Sequence, residues 1–168
     1  MRILNREDLM NILYGAAILG TGGGGSLDEG IAMIDEALQA GKEFKLADFA
    51  EMDPDAVIGT PYACGAISPL TEEEVKKYAR LKETDESFYI LCMKQLEQFL
   101  GKEVSAVIST ELGGGNTATA FYVGAMTGRC IMDGDPAGRS VPALQHSTYF
   151  LQGVPMCPRS VMNKFGEG

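Results

Sequence analysis

The sequence predicts an α/β domain in which helices flank a layered sheet. Three observations lead to this prediction: helical periodicity alternates with short apolar strand patterns, two glycine-rich runs fall between such segments, and the composition is that of a globular protein. Hydrophobic residues make up 45% and charged residues 22% of the 168 residues. That much apolar surface is enough to build the core of about one domain.

The first elements in chain order are two helices joined by a glycine-rich loop. Asn5 is placed to cap the first helix, which ends at Gly20, and the second helix begins near Asp28 and ends before Gly41. The intervening run of Thr21 and four glycines cannot be helix interior, because each glycine there would cost about 1 kcal/mol relative to alanine. We therefore expect a loop between the two helices.

The middle of the chain continues the alternation with weak strands and two more helices. Residues 44–49 are predicted to form a weak strand or turn, and residues 56–59 a short buried strand. A capping box at Thr71 indicates a helix to about residue 81. Apolar residues at helical spacing predict a further helix over about 87–100.

The strongest strand pattern, residues 104–110, leads directly into the second glycine-rich run. Residues 117–126 then favour a helix of small side chains, and residues 130–132 form another short strand. Prolines in the tail, residues 141–168, favour strand and turn rather than helix. We predict an α/β domain over 1–140, and a tail that leads into a strand-rich C-terminal part missing from this sequence.

Charge and cysteine pattern exclude several classes of function. The formal net charge of −9 repels phosphate backbones and anionic lipid, so we expect no nucleic-acid and no membrane binding. No apolar run reaches about 18 residues, and no secretion signal is visible. The four cysteines are widely spaced, which argues against a zinc knuckle and is typical of a reducing compartment. We therefore expect a cytoplasmic protein.

The first glycine-rich run is a candidate loop for binding an anion or a substrate. Its backbone N–H groups precede a helix, whose positive end favours phosphate or carboxylate. A preceding helix and the lack of a Gly-Lys-Ser/Thr sequence disfavour a P-loop or a dinucleotide fingerprint. The alternative is a glycine hinge that lets two helices or a loop pack closely. The candidate residues are Gly22, Gly23, Gly24 and Gly25.

The second glycine-rich run follows the strongest strand, at the place where open α/β sheets bind ligands. Glu111 could act there as a general base or a metal ligand, and Asn116 could orient a substrate carbonyl or amide. Alternatively, Asn116 caps the following helix and Glu111 pairs with an arginine. The candidate substrate-binding residues of this run are Gly113, Gly114, Gly115 and Asn116.

A third cluster of candidates follows the short strand at 130–132. Asp133 and Asp135, together with Glu111, could bind a divalent cation through oxygen, although a solvated Asp-Gly turn is the simpler alternative. Arg139 is placed to hold a substrate carboxylate. The sequence therefore predicts Glu111 and Asp133 as catalytic residues, and Asp133 and Asp135 as ligands of a divalent metal ion.

Two further reactive side chains are candidates on their own. His146 is the only histidine, so it cannot build the usual zinc site but could act as an acid or base. Cys64 lies in a loop after a predicted strand, where a thiol is nucleophilic only if its pKa is lowered. A structural role is the alternative for both residues.

Three motifs occur in one order in this chain. They are GAAILGTGGGG from Gly15, ELGGGN from Glu111, and DGDPAGR from Asp133, which is followed by PALQ. Together they resemble the N-terminal part of the S-methyl thiohydantoin desulfurase-like family, which is associated with hydantoinase and oxoprolinase proteins. The resemblance implies an N-terminal α/β region followed by a strand-rich region. It also implies cleavage of a C–S or C–N bond in a small cyclic ureide or thiohydantoin.

The residues and the resemblance together predict the N-terminal part of an enzyme that hydrolyses such a ring. The glycine-rich loops would form one cleft with the acidic loop, and Glu111 or Asp133 would activate water, alone or through a metal ion. The alternative is a non-catalytic binding or partner domain of a hydantoinase-type assembly. The expected partners are a small-molecule substrate, the C-terminal domain or a hydantoinase-type subunit, and further copies of the same chain.

Overall fold

The computed structural model describes residues 1–65, 68–143, 145–155 and 157–168. Within these residues a five-stranded sheet is flanked by helices, which confirms the predicted α/β class. The strands are β1 (Arg2–Leu4), β2 (Phe44–Ala47), β3 (Ile58–Gly59), β4 (Ala106–Ile108) and β5 (Cys130–Met132). Their order in the sheet is β1-β2-β5-β4-β3. Strand β1 is antiparallel to β2, and the other neighbouring pairs are parallel.

Six helices accompany the sheet in the described ranges. They are α1 (Arg6–Gly20), α2 (Leu27–Gln39), α3 (Glu72–Tyr78), α4 (Phe88–Leu100), α5 (Gly114–Thr127) and α6 (Thr148–Leu151). A short 3₁₀ turn, Phe49–Glu51, follows β2. Not one of the helices in the described ranges combines the length and apolar content that crossing a bilayer requires.

The helix starts follow the local signals in the sequence. Asn5 and Asp8 form a reciprocal capping box at the start of α1, and Thr71 and Glu74 form another at the start of α3. Ser26 caps α2 by accepting a hydrogen bond from the backbone N–H of Glu29. These caps explain why the predicted starts of α1, α2 and α3 agree with the structure, whereas α3 ends at Tyr78, before the predicted end near residue 81.

Helix α5 is the centre of the larger hydrophobic core. It packs on α1, α2 and α4 and on strands of the sheet, so most of its residues are buried around the whole helix. In β4, Val107 belongs to this core, whereas Ala106 and Ile108 belong to a smaller cluster. This alternation is expected of a strand whose two faces are both covered. The site described below lies where β3, β4 and β5 end.

Three features differ from the predictions. Strand β1 was not predicted, and α5 begins inside the second glycine-rich run, at Gly114 rather than 117. The strand predicted for the tail is absent from its described residues, which contain the one-turn helix α6 instead. The cause is local: the Ser147 side chain caps this turn, and the backbone N–H of Thr148 donates to the carbonyl of Pro136. The domain boundary at 140 stays a prediction.

Candidate functional site

The two glycine-rich runs lie directly against each other. The backbone carbonyl of Gly24 accepts hydrogen bonds from the amides of Gly115 (3.1 Å) and Asn116 (2.8 Å). A Cβ atom on Gly24 would lie 2.6 Å from the Cα atom of Gly113, and one on Gly20 would lie 2.7 Å from the carbonyl oxygen of Leu112. Glycine is therefore required at these positions for close packing, the role left open as the alternative for the first run.

This contact uses part of the predicted binding surface. Because the amides of Gly115 and Asn116 donate to Gly24, these two N–H groups are already paired within the fold. Gly25 has a positive φ of 81°, and a Cβ atom on it would lie 3.0 Å from the Cα atom of Gly115. Asn116 is also not the helix cap that the sequence suggested as an alternative, since the residue that caps α5 is Gly113.

The first run also reaches the loop that follows β5. A Cβ atom on Gly23 would collide with the side chain of Ser140, the residue after Arg139. Gly22 is exposed, and a Cβ atom on it would have open space. The structure therefore brings the two glycine-rich runs together, with the end of the acidic loop beside them.

Polar side chains gather at the carboxyl ends of the parallel strands. Ser109 and Glu111 follow β4, and Asp135 follows β5. One oxygen of the Asp135 carboxylate accepts the amide hydrogens of Ala137 (2.8 Å) and Gly138 (2.7 Å). The other lies 3.3 Å from the Ser109 hydroxyl, which donates to it. The Asp135 carboxylate is thus fixed from both strand ends.

Glu111 has two unusual properties. Its backbone is left-handed, with φ of 57°, a conformation that costs a non-glycine residue about 1–3 kcal/mol and is concentrated at functional sites. Burial raises the pKa of its carboxyl group, a hydrogen bond from the backbone of Val141 opposes this shift, and the charge of Asp135 adds to it. A partly buried carboxyl group with a raised pKa is suited to acid–base chemistry.

Two tyrosines near these carboxylates were not predicted from the sequence. Burial raises the pKa of Tyr62, in the loop after β3, and the nearby Cys64 and Glu111 raise it further while Arg159 lowers it. Burial also raises the pKa of Tyr149 in α6, the Thr60 side chain opposes this shift, and the charge of Asp135 adds to it. Each tyrosine lies in an irregular or very short segment, so no periodic pattern marks it.

Asp133, the other predicted catalytic carboxylate, is more exposed than Asp135. Asp133 is exposed, and its backbone N–H donates to the carbonyl of Ala47, which continues the pairing of β5 with β2. Arg139 is exposed as well, and its guanidinium donates to the carbonyl of Ser140. The carboxylate whose charge acts on Glu111 is therefore that of Asp135.

Potential metal-binding and nucleophilic residues are dispersed. Among the described residues, no group of three or more His, Cys, Asp or Glu side chains is arranged to hold a metal ion. His146 is exposed in the turn before α6, not in a strand. Cys64 is exposed and in the reduced form.

Two open cavities lie away from this cluster. One of about 590 Å³ lies between α2, α4 and α5, where Glu36, Ser87 and Tyr122 line it. The other, of about 440 Å³, lies beside Gly128 at the end of α5. Neither is lined by a predicted site residue, so the cleft formed by the glycine-rich loops stays a prediction.

The fold and the strand-end cluster define an α/β domain that carries polar side chains at the carboxyl ends of its parallel strands. The family model described as "S-Me-THD-like, N-terminal domain" matches residues 7–168, and the chain belongs to this family. The resemblance in the three sequence motifs is thereby confirmed.

A crystal structure of a protein from Chromobacterium violaceum has a similar fold. Its TM-score is 0.67 at 24% sequence identity, and the match covers 94% of this chain and 41% of that chain. At this identity the likeness concerns the fold alone. No curated protein matches the chain at a significant level.

Proposed function

We propose that the chain is the N-terminal part of an enzyme that hydrolyses a C–S or C–N bond in a small cyclic ureide or thiohydantoin. Family membership supports the substrate class. The observation that carries the proposal is Glu111: a partly buried carboxyl group on a left-handed backbone at the end of β4, with a raised pKa. Such a position is unfavourable for folding and useful for proton transfer.

The proposed reaction is simplest for a ring that carries an S-methyl group on the carbon between its two nitrogens. Water attacks this carbon while Glu111 accepts one of its protons, and a tetrahedral intermediate forms. The C–S bond then breaks, and Glu111 returns the proton to the leaving sulfur. The products are methanethiol and the corresponding hydantoin, so atoms and electrons balance without an oxidant or reductant.

The remaining predicted residues have supporting roles in this proposal. Arg139 holds a carboxylate on the substrate, and Asp133 is the second candidate base. The open Gly22 and the neighbouring Gly23 form the wall that the ring approaches, and the buried Gly113 and Gly114 support this wall from behind. Gly24 and Gly115 hold this wall together through their hydrogen bond.

A divalent metal ion does not enter the proposed mechanism. Calcium takes six to eight oxygen ligands and magnesium about six, whereas Asp135 already accepts three hydrogen bonds within the fold. Glu111 and Asp135 are therefore a poor donor set on their own. Glu111 is proposed to activate water directly.

Replacement of Glu111 by glutamine tests the proposal. The change keeps the size and removes the charge, so turnover of an S-methylated thiohydantoin by the complete protein should fall on the order of 10²–10⁴-fold while the melting temperature stays close to that of the wild type. Asp133→Asn is the parallel variant, because Asp133 is the second candidate base and its carboxylate is exposed. Full turnover in a folded Glu111→Gln protein would overturn the proposal, and a loss only in Asp133→Asn would move the base to Asp133.

A second candidate function is a non-catalytic binding domain of a hydantoinase-type assembly. It is favoured by the pairing of the Gly115 and Asn116 amides within the fold, since these groups do not stabilise a developing charge. Calorimetric titration with the same compound separates the two. Binding without turnover in the complete wild-type protein would favour the binding domain.

A further inference from the structure

Asn116 connects two loops to the first turn of α5. Its side chain is buried, with the residue 4% exposed, and its Oδ1 atom accepts a hydrogen bond of 3.1 Å from the backbone N–H of Ala63. Its own backbone N–H donates to Gly24 at 2.8 Å. One residue thereby ties both the loop after β3 and the first glycine-rich run to the same helix.

The loop after β3 carries Tyr62, which is next to Ala63. The loop starts at the same edge of the sheet as Ser109 and Glu111, because β3 and β4 are parallel neighbours. Tyr62 is half-buried in this loop, close enough to Glu111 for the two groups to interact electrostatically. The loop therefore places Tyr62 at the strand ends, near Glu111.

We propose that Asn116 is a positioning residue: its amide oxygen fixes the loop after β3 so that Tyr62 is held near Glu111 at the strand ends. In this role Asn116 acts through the loop, not by holding the substrate with its carbonyl oxygen. The placement of the loop follows from the hydrogen bond between Asn116 and Ala63. Only the use of the site by a thiohydantoin rests on the proposed function.

Hydrogen exchange at the Ala63 amide measures this role without any substrate. Asn116→Ala removes the acceptor, and the Ala63 amide should then exchange on the order of tenfold faster, or more. Thr119→Val is the matched control, because it removes another buried hydrogen bond of α5, from the Thr119 hydroxyl to the Gly115 carbonyl. This control should lose stability and leave local exchange at Ala63 unchanged. Asn116→Asp retains an acceptor oxygen and should restore protection.

A second readout follows the neighbouring tyrosine. With the tyrosine rings carrying ¹³C, Asn116→Ala should shift the NMR signals of Tyr62, and Glu111→Gln should shift the same signals. Thr119→Val should leave them in place. Unchanged Ala63 exchange, or unchanged Tyr62 signals, in Asn116→Ala would overturn the proposal.

Turnover of an S-methylated thiohydantoin by the complete protein completes the test. Asn116→Ala should lower kcat/KM on the order of tenfold, with recovery in Asn116→Asp. If Ala63 loses protection and kcat/KM does not change, the loop is not part of the site and the proposal fails. If the wild type turns over none of the compound, the proposed function fails, while the exchange and NMR comparisons still decide the positioning role.

Discussion

Gly24 and Gly113 are in backbone-to-backbone contact, so close that a Cβ atom on Gly24 would lie 2.6 Å from the Cα atom of Gly113. Each belongs to a different glycine-rich run, and the pairing of Gly24 with Gly115 and Asn116 holds the two runs together. The first function of these glycines is therefore to let two loops approach closely. Any binding role must use the positions that this contact leaves open.

A pair of alanine substitutions separates close contact from backbone strain. Gly22 and Gly24 both have positive φ, of 95° and 74°, but only Gly24 has a neighbour within 4 Å of a Cβ atom. Gly22→Ala should lower the free energy of unfolding by about 1–2 kcal/mol. Gly24→Ala should lower it by at least about 3 kcal/mol, because overpacking adds to the strain. Urea denaturation measures both, and equal losses would contradict the close contact.

The strain at Glu111 predicts that glycine is tolerated there. A glycine adopts φ of 57° without the steric cost, so Glu111→Gly should leave the free energy of unfolding unchanged or raise it by up to about 1 kcal/mol. Loss of the carboxylate should abolish turnover in the same variant. Thermal unfolding and a turnover assay check the two parts, and a clear loss of stability would show that the Glu111 side chain has a structural role.

The raised pKa of Glu111 predicts the direction of a pH effect. A carboxyl group with a higher pKa in the folded state holds its proton more tightly there than in the unfolded chain. Between the pKa of Glu111 in the unfolded chain and its higher pKa in the folded state, the folded state therefore binds more protons. In this pH window, which begins at about 4.3, the ordinary pKa of glutamate, stability falls as pH rises. Glu111→Gln lacks this loss, so its stability relative to the wild type should increase with pH across the window.

Denaturant unfolding of both proteins between about pH 4 and pH 8 measures this difference. Asp35 and Glu51 have lowered pKa values, the first through Arg6 and the second through the N-terminal amine. Their pH effect has the opposite sign, but it is common to both proteins and cancels. If the free energy of unfolding of Glu111→Gln, minus that of the wild type, decreased as pH rises, this result would contradict the raised pKa.

Glu97 is predicted to be a stability residue. Its carboxylate accepts hydrogen bonds from the backbone N–H of Val104 (2.8 Å) and from Arg129 (2.6 Å), and Arg129 also donates to the Val104 carbonyl. Glu97→Ala leaves these donors without their partner and should cost about 2–4 kcal/mol. Glu97→Gln keeps an acceptor and should lose about half as much. Equal melting temperatures for wild type and Glu97→Ala would rule out this role.

Local signals in the sequence predict most helices correctly and only part of the site. Each of the capping boxes that begin at Asn5 and Thr71 spans only four residues, so a linear pattern in the sequence reveals it. The three-residue strand β1 has no room for a periodic pattern and was missed. Its position depends on pairing with β2, which is distant in the sequence.

The site itself depends on tertiary structure. Glu111 could be singled out because it follows the strongest strand, but the position of Asp135 near it depends on β4 and β5 being neighbours in the sheet. Tyr62 and Tyr149 approach the carboxylates only after the loop and α6 have folded onto these strand ends. For the same reason the sequence could not distinguish the exposed Asp133 from the fixed Asp135.

The packing of α5 also has a consequence for the order in which the chain can fold. Helices α1 and α2 leave the ribosome long before α5, yet Ile34 and Ala37 of α2 are fully buried in the core that α5 completes. Contacts between such distant segments carry a large loop-closure entropy and slow the search for the native state. The nascent chain therefore exposes the apolar faces of its first two helices until α5 has been synthesised, and during that interval it is most open to aggregation and to capture by chaperones.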